Sequence, residues 1–191
     1  QPGSGARKAT AGGGLGHLAT IASVAAWVLW KVYVVAVFTF SARIGETLGV
    51  DAEAVGNSLA FATLLSLVGA AAAAALGDRI GRAAPLLFGT VLACASCILL
   101  IVGESYLYFL AAITLFNFAW SFNNIFYFGM VAAADPKGRM AVMLNAITGL
   151  TGSATLGAMS MLSTKVGLEP TTTAPAFSLA GASLAMVLAL V

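Results

Sequence analysis

The chain has 191 residues, of which 60% are hydrophobic and 8% charged, with a mean hydropathy of +0.98 and a net charge of +2. A soluble globular domain carries about 25% charged residues, so this composition excludes an ordinary water-soluble protein. The small net charge, scattered over polar breaks, excludes a nucleic-acid surface, and lipid is the first partner implied.

Residues 1–14, rich in glycine and small polar side chains, read as a cytoplasmic linker and not as a signal peptide. Gln1 is not an initiator methionine and Val191 lies inside an apolar run, so both ends read as cut from something longer. Residues 15–191 then form one transmembrane domain. Crossing about 30 Å of hydrocarbon takes about 20 apolar residues in a helix. Six stretches meet that need: residues 18–40, 56–76, 84–102, 107–132, 141–162 and 174–191.

The first stretch holds Lys31 near its middle, flanked by Trp27, Trp30 and Tyr33. A charge at the bilayer centre costs about 2.5–3.5 kcal/mol on insertion scales, so such a residue normally faces protein or water and marks a pathway. Trp27 and Lys31, four apart, share a helix face, with Trp30 beside them and Tyr33 further round. An indole can hold an ammonium by cation–π contact. The alternative is that Lys31 snorkels or pairs structurally with a group outside this chain.

The second stretch ends in Ala74-Ala75-Leu76-Gly77-Asp78-Arg79-Ile80-Gly81-Arg82-Ala83. Glycine there suits a tight turn, and one acid with two bases can bind the ends of neighbouring helices. Pro85 falls in the first turn of the third helix, where its missing N–H costs little. Cys94 and Cys97, three apart, share a helical face, which suits neither a disulfide nor a metal site. They read as small lipid-facing or helix-facing residues.

The fourth stretch carries Asn117, Trp120, Ser121, Asn123, Asn124 and Tyr127. Asn117, Ser121 and Asn124 fall on one face, and buried amides need partners. They either join neighbouring helices or line a polar cavity. Asp135-Pro136-Lys137-Gly138 is a turn by composition. The fifth stretch has Asn145, Gly149, Ser153 and Gly157 at a spacing of four, a stripe that lets backbones approach closely. It reads as a packing seam, static or sliding. Pro170 and Pro175 bracket the last loop.

The basic residues give an orientation. With the N-terminus inside, the cytoplasmic side holds Arg7, Lys8, Arg79, Arg82, Lys137 and Arg139, and the other side only Arg43 and Lys165. That bias in short loops puts both ends in the cytoplasm.

The turn around Asp78, Arg79, Gly81 and Arg82 resembles the G-x-x-x-D-R-x-G-R-R loop of the major facilitator superfamily. Ala74 stands at the leading glycine and Ala83 at the last basic position. Residues 40–50, Phe-Ser-Ala-Arg-Ile-Gly-Glu-Thr-Leu-Gly-Val, resemble the end of helix seven and its following loop in bacterial members. Asp135, Lys137, Gly138 and Arg139 lie in a loop similar to that between helices ten and eleven. The resemblance covers nearly the whole chain from about residue 15.

It implies an all-α membrane protein made as a 3+3 inverted repeat, namely helices seven to twelve of a twelve-helix transporter in the cell (inner) membrane. The implied partners are a small solute and the N-terminal six-helix half. The implied function is secondary transport by alternating access. In that picture Lys31, Trp27, Trp30, Asn117, Trp120 and Asn124 line the substrate cavity, and Asp78, Arg79, Gly81 and Arg82 form a conformational latch. The central lysine favours an anionic solute.

No Asp or Glu lies within the six stretches, and His17 sits at their edge. A proton carrier, if the transport is proton-coupled, is therefore expected in the other half or in Lys31. No nucleophile–base pair, phosphate-binding loop or metal-ligand spacing is visible, so neither an enzyme nor a cofactor is expected. Two other readings remain: a half-size protein acting as a homodimer, and a non-transporting sensor or accessory subunit.

Overall fold

A computed structural model describes the backbone of residues 6–77, 79–134, 139–167 and 169–189, and side chains from residue 18 onward within those ranges, except at 134, 141, 145, 166 and 170. Every element among them is a helix: α1 (Ala6–Thr47), α2 (Ala52–Leu76), α3 (Ala83–Val102), α4 (Tyr106–Ala134), α5 (Arg139–Val166) and α6 (Pro170–Ala189). Each contains a run long and apolar enough to cross a membrane, the first being Leu18–Thr47. The protein is therefore a multi-pass, all-helical membrane protein.

The helix ends follow from local chemistry. Asp51 caps α2 by accepting the Ala54 N–H at 2.8 Å, which satisfies a donor that the first turn leaves open. Gly77 closes α2 with φ of 51°, donating its N–H to Ala73 O at 3.0 Å. Pro85 lies in the first turn of α3. The largest differences from the sequence-based expectation are in α1, which also runs past residue 40 to Thr47, and in α6. Helix α1 starts at Ala6, inside the stretch expected as a linker. Pro175 lies inside α6 and does not bracket a loop. The α6 start is already fixed before that point, because Glu169 O accepts the N–H groups of Thr172 and Thr173.

The outer surface is as apolar as the core. Leu64, Leu67, Val142 and Leu150 are all more than 60% exposed. Contiguous exposed apolar surface of this kind is tolerated only in lipid or under a partner. The large aromatics Trp27, Trp30, Tyr33, Tyr127, Phe109 and Phe116 are fully buried instead.

Helix α4 is central to the packing. It touches α1, α2, α3 and α5, and α1 touches α2, α4, α5 and α6. Close approach is built from glycine at two seams. A Cβ on Gly69 of α2 would stand 2.6 Å from Phe118 O of α4. A Cβ on Gly89 of α3 would overlap the Asn123 amide of α4. A side chain at Gly69 would have to move the α4 backbone, and one at Gly89 would have to displace the Asn123 amide.

Candidate functional site

Helix α1 turns Trp27, Trp30, Lys31 and Tyr33 inward, and all four are buried. Lys31 lies near the middle of the Leu18–Thr47 span, with about 20 Å of helix on either side. Its four-carbon stem is too short to carry the ammonium to the interface. It is held in place instead. Lys31 Nζ donates to Asn124 Oδ1 of α4 at 3.3 Å and sits 4.2 Å from the centre of the Trp27 ring. No carboxylate pairs with it among the described residues.

An aromatic wall surrounds this contact. Trp27 lies 4.5 Å from Phe128 and 6.4 Å from Tyr127, centre to centre. Trp30 lies 5.4 Å from Tyr127 and 4.8 Å from Tyr33, and Tyr33 meets Phe116 edge-on. Tyr33 is tied to two further helices. Its hydroxyl bonds Ser96 Oγ of α3 at 3.2 Å, and its carbonyl accepts from Ser178 Oγ of α6 at 3.3 Å.

Several polar atoms here lack partners. The indole N–H groups of Trp27 and Trp30 are buried without an acceptor. The Tyr127 hydroxyl lies near Thr90 but makes no hydrogen bond of standard geometry. An unsatisfied buried donor costs about 1–3 kcal/mol, so two indole N–H groups, beside an ammonium with no carboxylate partner among the described residues, form an unusual concentration of positive potential.

The structure brings together Trp27, Trp30, Lys31 and Asn124 of the expected cavity residues. It separates the other two. The Asn117 amide bonds back to Ile113 O of its own helix at 3.0 Å. Trp120 is half-buried and its indole N–H is also unpartnered, but it makes no ring contact with the cluster. Ser121, on the same face as Asn117, donates to Ser66 O of α2 at 2.5 Å and so joins helices. Asn123 does the same toward α3, donating to Thr90 Oγ1 at 3.2 Å and Leu86 O at 3.4 Å. Tyr127, not among the expected cavity residues, joins the cluster through both indole rings. Its signal was its position three residues after Asn124, on the edge of the same face.

Arg82, expected in the latch, reaches across to α4 and donates to Gly129 O at 3.1 Å. Gly81 takes a φ of 71°, and Arg79 is exposed. Asp78 lies outside the described residues, as do Asp135, Lys137 and Gly138. Arg139 opens α5 and is exposed. Among the described residues, the α5 stripe from Gly149 to Gly157 packs on no other helix. Gly149, Ser153 and Gly157 are exposed, and a Cβ on either glycine would meet nothing within 4 Å. The side chain of Asn145 lies outside the described residues. Cys97 is buried and Cys94 half-buried, both as free thiols.

No family model matches the chain. No curated protein and no solved structure matches it either.

Proposed function

We propose that this chain is the second six-helix half of a secondary transporter of the major facilitator type, moving a small solute by alternating access, with both ends cytoplasmic. The observation that carries this reading is Lys31. It is buried in the middle of a spanning helix and shared between α1 and α4, without a carboxylate partner among the described residues. A charge kept at that depth is costly unless a pathway uses it.

The pairing of helices supports the 3+3 repeat. Exchange α1, α2 and α3 for α4, α5 and α6. The α1–α6 contact becomes α3–α4, α2–α4 becomes α1–α5, and α1–α2 becomes α4–α5. The α1–α4 and α3–α6 contacts map onto themselves, and only α5–α6 lacks a counterpart among the substantial contacts. In this reading the α1–α4 seam, which holds Lys31 and Asn124, would lie on the pseudo-two-fold axis, where inverted-repeat transporters place their solute. Helices α2 and α5, exchanged by the same operation, are the least buried of the six. Their apolar outer faces suit a partner half.

The test is solute flux in liposomes holding the native gene product. Labelled small acids, amines and sugars serve as probes, with Lys31→Met as the comparison. Uptake above protein-free liposomes that the variant loses supports the reading. Absence of flux for every probe favours a sensor or accessory subunit. A native product about twice the 19.3 kDa of this chain would supply the partner half, and one of equal mass would move the homodimer forward.

A further inference from the structure

The chemistry of the α1–α4 cluster narrows the ligand, and this step rests on the transporter reading only for the claim that the ligand is carried. Trp27 Nε1 and Trp30 Nε1 are buried and unpartnered, and both indole rings touch Tyr127, whose hydroxyl lies near Thr90. Lys31 Nζ has three protons and, among the described residues, one hydrogen-bond acceptor, Asn124 Oδ1, at the long distance of 3.3 Å. Indole and ammonium groups only donate. An amine or a cation therefore finds no acidic partner here, while an anion finds several donors and a whole positive charge. The remaining walls, Trp27, Trp30, Phe116, Tyr127 and Phe128, are aromatic surface. They offer an apolar body aromatic contact and a sugar few hydrogen bonds.

We infer that Trp27, Trp30, Lys31 and Tyr127 form a binding site for the carboxylate of a small amphipathic acid, with the acid's apolar body held by the surrounding rings. Lys31 supplies the charge and the indole and phenol groups supply direction. Asn124 holds the ammonium while the site is empty and is exchanged for the stronger acceptor when the carboxylate arrives, since hydrogen bonds between charged groups are shorter and stronger than neutral ones. The same carboxylate could come from a side chain of the partner half, and the experiment separates these two sources.

The native gene product in lipid nanodiscs is titrated with benzoate, hexanoate and acetate, and with the uncharged benzamide and hexanamide. Binding is read from indole fluorescence and from the 15N–1H signals of the indoles, assigned by Trp27→Phe and Trp30→Phe. The acids are expected to shift both indole signals saturably, benzoate and hexanoate more tightly than acetate, and the amides at least about tenfold more weakly, as loss of one charged hydrogen-bond partner implies. Lys31→Met should weaken benzoate by about tenfold or more, Lys31→Arg should retain most of the binding, and Tyr127→Phe should weaken it several-fold.

Amides that bind as tightly as acids overturn the inference, as does benzoate affinity unchanged in Lys31→Met. Acids that leave the indole signals unmoved, with Lys31→Met lowering thermal stability, also overturn it and assign the carboxylate to the partner half. Failure of the transport reading looks different: acids bind as expected, yet no gradient drives them across a liposome. Flux of a neutral or cationic solute without acid binding would leave the transporter standing and remove this site.

Discussion

Helix α4 treats its polar side chains in opposite ways on its two sides. Toward α2 and α3, the donors that cross the seam find backbone or hydroxyl acceptors, although Asn123 Oδ1 itself is unpartnered. Ser121 meets Ser66 O, and Asn123 meets Leu86 O and Thr90, over Gly69 and Gly89. Toward α1, the contact is wide and aromatic, and its donors stay open. The first arrangement is what helix association in lipid requires, namely close backbones and satisfied hydrogen bonds. The second wastes those gains within this chain. The difference separates side chains that join helices from side chains held ready for something else, and it can be attacked from both sides.

The largest effect is expected at Gly89. Leucine there must displace the Asn123 amide and push α3 from α4, at a cost of about 3 kcal/mol or more. Thermal unfolding followed by a thiol-reactive dye suits this, because Cys97 is buried until the bundle opens. Gly89→Leu should give little folded protein, and a wild-type melting curve would mean the α3–α4 seam is loose.

Next comes Lys31→Met. If the α1–α4 seam holds an uncompensated charge, replacing it with an apolar side chain of similar length should stabilise the protein by about 2–3 kcal/mol while abolishing solute flux. A loss of stability would instead mean that a carboxylate outside this chain pairs with the lysine.

A matched pair sharpens the contrast. Asn123→Ala removes two hydrogen bonds from a seam whose donors are paired and should cost about 1–2 kcal/mol. Tyr127→Phe removes a hydroxyl with no standard partner and should leave stability within about 0.5 kcal/mol of wild type, or raise it. Equal losses for the two would erase the distinction between the faces.

These contrasts also explain what could be read in the sequence. Six spans were legible because lipid imposes length and apolarity on each, and most boundaries fell within a few residues. Pro175 was misplaced because proline usually marks a loop, yet a helix tolerates it where the lost hydrogen bond lies near the start. Lys31 with Trp27 was legible because a lysine in an apolar run needs a reason, and four-residue spacing puts both on one face. Asn117, Ser121 and Asn124 share a face as well, but their fates differ. Asn117 bonds its own helix, Ser121 reaches α2 and Asn124 reaches α1. Helical spacing gives the direction of a side chain, whereas its partner depends on which neighbour lies there and at what height. Tyr127 was overlooked for the same reason, since its part comes from contact with two indoles about a hundred residues away in sequence.

The smallest expected effect lies on α5. Gly157 and Gly149 belong to a stripe of small residues like those that draw helices together elsewhere in the bundle, yet nothing in this chain lies within reach of a Cβ on either. Gly157→Ala should therefore change the thermal stability of the isolated chain by no more than about 0.5 kcal/mol. Gly69→Ala, with its Cβ 2.6 Å from Phe118 O, should cost clearly more under the same conditions. The informative step is to repeat the α5 substitution with leucine in the native gene product. If the stripe faces only lipid, an apolar side chain is as welcome there as a glycine and the melting curve does not move. If the partner half packs on it, leucine holds two backbones apart, and both unfolding and flux are impaired although no contact within this chain has changed. The response at Gly157 therefore reports on a surface whose other side this chain does not contain.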